Sequence, residues 1–152
     1  MSSDELETAV RSFYSAWSSG DSEALLALWA MDDPASSYLP AASEQRLTGA
    51  DAVGTYFKDR LSTFAVIKMQ PRVLHVRHLQ DDLGSAFVAV DWALKKTASS
   101  RAIGGSLRVS AVLRRSHGRW QFCHYAECPL APLVELRRFY QQIAADGHEM
   151  LT

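Results

Sequence analysis

One stretch, Ser106 to Ala126, reading SLRVSAVLRRSHGRWQFCHYA, constrains this chain more than any other. Two β-rich runs flank Ser116, His117 and Gly118, and a three-residue connection with glycine last is what a type I turn closed by a bulge requires. The stretch predicts a long antiparallel hairpin. Pairing Arg115 with Arg119 and counting outward puts Arg114 opposite Trp120, Val112 opposite Phe122, Ser110 opposite His124 and Arg108 opposite Ala126, all on one face. Leu107, Val109, Ala111, Leu113, Cys123 and Tyr125 take the other face. Neither face is polar throughout, whereas a small antiparallel sheet ordinarily leaves one side to water. Both must be covered. The expectation is that helices cover the Trp120/Phe122 face and a second copy of the chain covers the other. The helix-covered face turns from apolar near the turn to polar at Ser110, His124 and Arg108, as the wall of a ligand pocket would.

The 152 residues are expected to form one domain, 1–152, a length that buries roughly 68–70% of the surface exposed by the unfolded chain. No internal repeat, low-complexity tract or linker divides it. The formal net charge is −1, and basic residues are scattered except at Arg114–Arg115 and Arg137–Arg138, so nucleic acid is not an evident partner. The opening MSSDELETAV is acidic where a signal peptide would be basic and then apolar, and no run approaches the ~20 apolar residues of a membrane span. A cytoplasmic protein with no membrane partner is expected. Cys123 and Cys128 give no disulfide framework, and a C-x4-C pair without a companion pair is a poor zinc signal. Reduced thiols suit a cytoplasm.

Taken in order, Leu6, Val10, Phe13, Tyr14 and Trp17 follow helical spacing over Ser3 to Ser19, with Ser2 and Glu5 as a capping box and Gly20 as the stop. Asp21 can cap a second helix, whose Leu25, Leu26, Leu28 and Trp29 stripe continues through Ala30. Met31 to Thr48, with Pro34 and Pro40, predicts a loop carrying a short strand pair at Ser37-Tyr-Leu and Arg46-Leu-Thr. Ala50 to Phe64 predicts a third helix. Ile67 to Arg77 is a strand that Pro71 confines to an edge or a bulge. Ser85 to Lys95 reads as a central strand, with Val88, Val90, Trp92 and Leu94 on one face and Phe87, Ala89, Asp91 and Ala93 on the other. Gly104–Gly105 suggests a bulge or bend before the hairpin. Pro129 and Pro132 stop the last strand, and a helix over about 132–146 is closed by Gly147.

Three helices followed by antiparallel strands, with Ser19-Gly20-Asp21 after the first helix, Gly49-x-x-Ala52-Val53 opening the third and Gly118-Arg119-Trp120 before the last strand, resemble the NTF2-like superfamily. The SnoaL-like and calmodulin-kinase association-domain-like branches are nearest. The resemblance covers about residues 4–127 and implies an α+β, cystatin-like cone. In it, N-terminal helices pack inside a strongly curved antiparallel sheet around a pocket, and two sheets commonly meet in a homodimer. The helix after Pro132 exceeds the family pattern and is expected over the cone mouth or against a neighbouring subunit. Members include isomerases, lyases, hydratases and binding modules, so the fold does not select a function. The steroid-isomerising branch implies an oxyanion-donating tyrosine at Phe13, with Tyr14 one step off, a base near Tyr38 or Leu39 and a second acid at Ser110. No carboxylate stands at those positions, which disfavours that chemistry.

Among the residues themselves, Asp91 lies between apolar neighbours, where a carboxylate needs partners. Facing the cone it would suit general acid or base work; otherwise it pairs with an arginine such as Arg108. His124, placed across from Ser110 and diagonal to Arg108, can shuttle a proton or orient a carbonyl, or serve as a hydrogen-bonded structural histidine. Arg108 and Ser110 can bind a ligand's acidic group, or Arg108 can instead neutralise Asp91 or Glu127. Tyr38, Tyr56, Trp29 and Trp92 are candidate aromatic lining, or core. The histidines show no metal-ligand spacing, so function without cofactor or metal is the default.

Two functions remain open on these residues. One is a dimeric pocket protein that binds a small, largely apolar molecule with an acidic or carbonyl group, with or without cofactor-independent isomerase, lyase or hydratase chemistry. The other is a non-catalytic assembly or ligand-sensing module in which the last helix, with Arg137, Arg138, Phe139 and Tyr140, matters more than the pocket.

Overall fold

The computed structural model describes residues 3–145. The elements run α1 (Ser3–Ser19), α2 (Ser22–Ala27), β1 (Ser37–Leu39), β2 (Leu47–Thr48), α3 (Ala50–Thr63), β3 (Val66–Gln80), β4 (Leu83–Lys95), β5 (Ile103–Ser116), β6 (Arg119–Leu130) and α4 (Leu133–Ala145). The strands form one curved, unclosed sheet in the order β2-β1-β6-β5-β4-β3, antiparallel except where β1 runs parallel to β6. The expected α+β, cystatin-like cone is present. Ser2 and Gly147, expected to cap the first helix and close the last, lie outside the described residues.

The α1 stripe is buried as its spacing requires: Leu6, Val10, Phe13, Tyr14 and Trp17 all lie in the core, against the inner face of the sheet. Asp21 caps α2, its Oδ1 accepting from Ala24 N–H at 3.0 Å. That helix ends at Ala27 rather than continuing through Ala30. Phe122 N–H donates to the Leu28 carbonyl at 2.7 Å and Ala30 N–H to the Phe122 carbonyl at 2.9 Å, so the sheet takes these backbone groups from the helix. Trp29 then packs into the core from an extended segment.

Pro71 sits on the edge strand β3, beside a register shift between Pro71 and Val73, which satisfies both conditions under which a ladder tolerates proline. Pro129 does not stop β6, which continues to Leu130. Because β1 pairs with β6 only from His124 to Ala126, β6 beyond that point is an edge, where proline costs no ladder bond. Gly104 and Gly105 make no bulge, since β4 and β5 pair without a shift there. They provide close approach instead: a Cβ at Gly104 would come within 2.5 Å of the Trp92 carbonyl oxygen, and one at Gly105 would touch the Trp92 indole at 3.4 Å.

The hairpin forms, but with a different register. Its connection has two residues, His117 and Gly118, at φ 50° and 75°, between the paired Ser116 and Arg119. Positive φ at both positions is the type I′ condition, which matches the twist of the flanking strands. A bulge then places Cys123 as an extra residue between the Leu113/Phe122 and Val112/His124 pairs. Trp120 and Phe122 face the helices as expected. Beyond the bulge the parity inverts, so Tyr125 and Glu127 point inward while His124 and Ala126 point out. Leu107, Val109, Ala111 and Leu113, expected against a second chain, are instead buried beneath the helices with Phe122. Val112, Ser110 and Arg108 occupy the outer face.

Candidate functional site

A cavity of about 190 Å³ opens between α1, α3, the loop after β1 and the inner face of β3 to β6. Its wall is largely aromatic and aliphatic, including Trp17, Tyr38, Tyr56, Trp92 and Leu107. The ionisable aliphatic side chains on that wall are Glu127, on the sheet side, and Arg60, on α3. Each aromatic wall residue has a local cause. Trp17 closes the α1 stripe, Tyr56 lies on α3 one residue before the buried Phe57, and Trp92 lies over Gly105, whose missing side chain leaves room for the indole.

Glu127 is directed here by the bulge at Cys123. Its Oε1 accepts from the Tyr38 hydroxyl at 3.0 Å and its Oε2 from Ala41 N–H at 3.0 Å. Burial pushes its pKa above the ordinary glutamate value, and the two hydrogen bonds, which favour the ionised form, offset that only in part. No cation contributes to this balance. Behind Glu127, the Tyr38 ring stacks on Tyr125 with centroids 4.7 Å apart and planes 12° apart, and the Tyr125 and Tyr14 hydroxyls share a hydrogen bond at 3.2 Å. Burial raises the pKa of all three phenols. The Tyr56 hydroxyl makes no hydrogen bond within the described residues and stays a donor, its pKa likewise raised by burial. A carboxyl group that gains and loses its proton above the usual range, facing an apolar hollow with an uncommitted phenol, can act as general acid or base toward a bound molecule.

The structure brings only some of the expected site residues here. Tyr38, Tyr56 and Trp92 line the cavity. Trp29 does not. Its indole is fully buried against Tyr38 and Phe57 and donates to Ser36 Oγ at 3.1 Å. Asp91 points outward from β4, where its Oδ2 pairs with Arg72 Nε at 2.7 Å and its Oδ1 accepts from Ser106 Oγ at 2.6 Å. Its arginine partner is Arg72, not Arg108. His124 is exposed on the outer face with Nδ1 2.8 Å from Ser37 Oγ. Ser110 and Arg108 are exposed on that face too, Ser110 between Phe87 and Ala126, and Arg108 Nη2 donating to Cys128 Sγ at 3.5 Å. The expected deep polar cluster therefore lies outside the cone: the two-residue turn shifts the register by one and puts Ser110 and Arg108 of β5 on the outer face, and the bulge at Cys123 then turns His124 of β6 outward.

Glu127 is the residue that sequence reasoning placed only as a partner for Arg108. The available signal was its parity with Tyr125, two residues earlier: a carboxylate in phase with a buried tyrosine shares its face. Arg60 carried a similar signal, four residues after Tyr56 on the same side of α3.

Residues 6–132 match the SnoaL-like domain. Solved structures repeat the fold at low identity. A dehydratase candidate of the NTF2-like family from Streptomyces avermitilis superposes with TM-score 0.77 at 17% identity, covering 86% of this chain and 97% of that one. A candidate calcium/calmodulin-dependent protein kinase II association domain from Xanthomonas campestris gives 0.73 at 17% identity, with coverage of 88% and 91%. An uncharacterised protein with a cystatin-like fold from Caulobacter vibrioides gives 0.73 at 17%, with coverage of 89% and 94%. No curated protein matches. Such identities speak for the fold alone, whereas the domain match spans most of the sequence, and on that ground the chain belongs to the SnoaL-like family of the NTF2-like superfamily.

Proposed function

We propose that this protein binds a small, largely apolar molecule in the cone cavity and moves a proton on it without a cofactor, as an isomerase, lyase or hydratase. The observation that carries this reading is Glu127: a carboxyl group held between Tyr38 and Ala41 at the wall of an apolar hollow, with its proton affinity raised by burial. Tyr38, Tyr56 and Trp92 are its lining residues. Glu127 takes the place of Asp91 and His124 as proton carrier because those side chains face away from the hollow. In the reaction the ionised carboxylate removes a proton from a carbon next to a carbonyl, and the Tyr56 hydroxyl donates to the enolate oxygen. The same proton then returns to a neighbouring carbon, or to a leaving hydroxyl as water departs.

Exchange of the C1 protons of 2-tetralone in D2O, followed by NMR, tests the first half of that sequence. The wild-type protein is expected to accelerate exchange, and Glu127→Gln to lose roughly a hundredfold or more of the acceleration. Equal exchange by the two proteins would remove Glu127 from the role.

A homodimer formed through the outer sheet face accompanies this reading. Phe87, 46% exposed, stands in the middle of that face with Ser110 and Ala126 in the same row. The second reading, an assembly module, is favoured by α4, whose Leu133, Val134, Phe139 and Tyr140 are exposed and none of whose residues lines the cavity. Solution mass of the full chain against a chain ending at Pro129 separates the two. Loss of oligomers on truncation supports assembly, and an unchanged dimer counts against it.

A further inference from the structure

Arg60 gives the cavity a second pole, at the end away from the sheet. It lies on α3 with its guanidinium carbon 5.8 Å from the ring centroids of both Tyr56 and Phe64, and both rings belong to the cavity wall with it. Two of its nitrogens are committed to the neighbouring Asp59, Nε at 3.3 Å and Nη2 at 2.7 Å from the same Oδ2. The third, Nη1, has no hydrogen-bond partner among the described residues, and the side chain is 40% exposed, so an arriving molecule can reach it. A guanidinium lying over aromatic rings is less hydrated than a free one, which favours a planar anion over water. Among the described residues no other cation lines the cavity. Between Arg60 and Glu127 the wall is almost wholly apolar: Trp17, Tyr38, Tyr56 and Trp92 offer ring faces and Leu107 a branched chain. The 190 Å³ compares with the roughly 150 Å³ apolar cavity that holds benzene, so a body of one or two rings suits it.

We infer that Arg60 is a specificity-determining residue and that the ligand is a carboxylate on a one- or two-ring apolar body, its acid group held at Arg60 and its ring inside the cone. This deepens the pocket reading given above and rests on it. The polarity follows from charge. The carboxylate stays at the cationic, partly wet rim, where Arg60 needs little further desolvation. The ring end displaces water from the apolar wall and brings its carbon–hydrogen bonds toward Glu127. The opposite orientation would set an anion against a carboxyl group that has no cation beside it.

Titration calorimetry with naphthalene-2-carboxylate and its neutral counterpart naphthalene-2-carboxamide tests the assignment on the full chain. Wild type is expected to prefer the carboxylate, and that preference should shrink as salt is raised, since the rim is exposed. Arg60→Met should weaken carboxylate binding about five- to tenfold and leave the amide unchanged, while Arg60→Lys keeps part of the preference. Methionine keeps the length and apolar stem of this half-buried helical arginine, and unaltered amide binding checks that the pocket is intact. If the carboxylate-to-amide ratio is the same in wild type and Arg60→Met, the Arg60 inference falls and the pocket reading stands. If neither probe binds wild type, the pocket reading falls and takes this one with it.

Discussion

The Tyr38 hydroxyl donates to Glu127 Oε1 at 3.0 Å while the ring behind it stacks on Tyr125, so one buried tyrosine both anchors the carboxyl group and fixes the wall against which it sits. Tyr38 belongs to the three-residue β1, which runs parallel to β6 and pairs with Tyr125 at that very position. The short strand exists where it does because the β6 edge offers it a ladder.

Tyr38→Phe keeps the stack and deletes the donor. Glu127 then loses one of the two hydrogen bonds that favour its ionised form, so its pKa should move further up. The fold should lose about 1–2 kcal/mol. Infrared titration of the carboxyl stretch and urea denaturation read the two effects, and an unmoved titration would mean that Tyr38 does not hold the carboxylate.

The pH dependence of stability follows from the same group. Glu127 binds its proton more tightly folded than unfolded, so between the ordinary glutamate range and its own raised value the native state holds more protons than the unfolded chain. Its contribution is therefore complete at acid pH and is lost as pH rises through the folded value. Glu127→Gln does not titrate. The stability of wild type minus that of Glu127→Gln should fall with rising pH across this window and be level on either side. Denaturation at a series of pH values checks this, and a level difference throughout would contradict the burial of the group.

Gly104→Ala should be more disruptive than Gly105→Ala although the two are adjacent. A Cβ at the first meets a backbone carbonyl at 2.5 Å, which can yield only by moving the β4 strand, whereas the second meets the Trp92 indole at ordinary contact distance. A loss of about 1–3 kcal/mol for the first and under half of that for the second is expected from thermal unfolding. Equal losses would point to strand propensity rather than close approach.

Phe87→Glu places a charge in the middle of the outer sheet face. If that face joins two copies, light scattering should show the variant as a monomer at concentrations where wild type is a dimer, with far-UV circular dichroism unchanged. A variant that still dimerises would place the interface elsewhere.

The sequence by itself determined the elements and much of the core. The α1 stripe of Leu6, Val10, Phe13, Tyr14 and Trp17 and the shared face of Val88, Val90 and Trp92 on β4 were legible because each rests on a period of 3.6 or 2 within one unbroken element, and the edge or bulge at Pro71 because proline has no N–H to give a ladder. Tertiary structure alone decided which side of the hairpin became the cavity wall. A strand changes face at every residue, so the two-residue turn at His117–Gly118 and the bulge at Cys123, neither visible in local pattern, moved His124, Ser110 and Arg108 out and brought Glu127 in. The family resemblance implied helices and a curved sheet around a pocket, but only the register, set by pairing between segments, could say that a glutamate lines it.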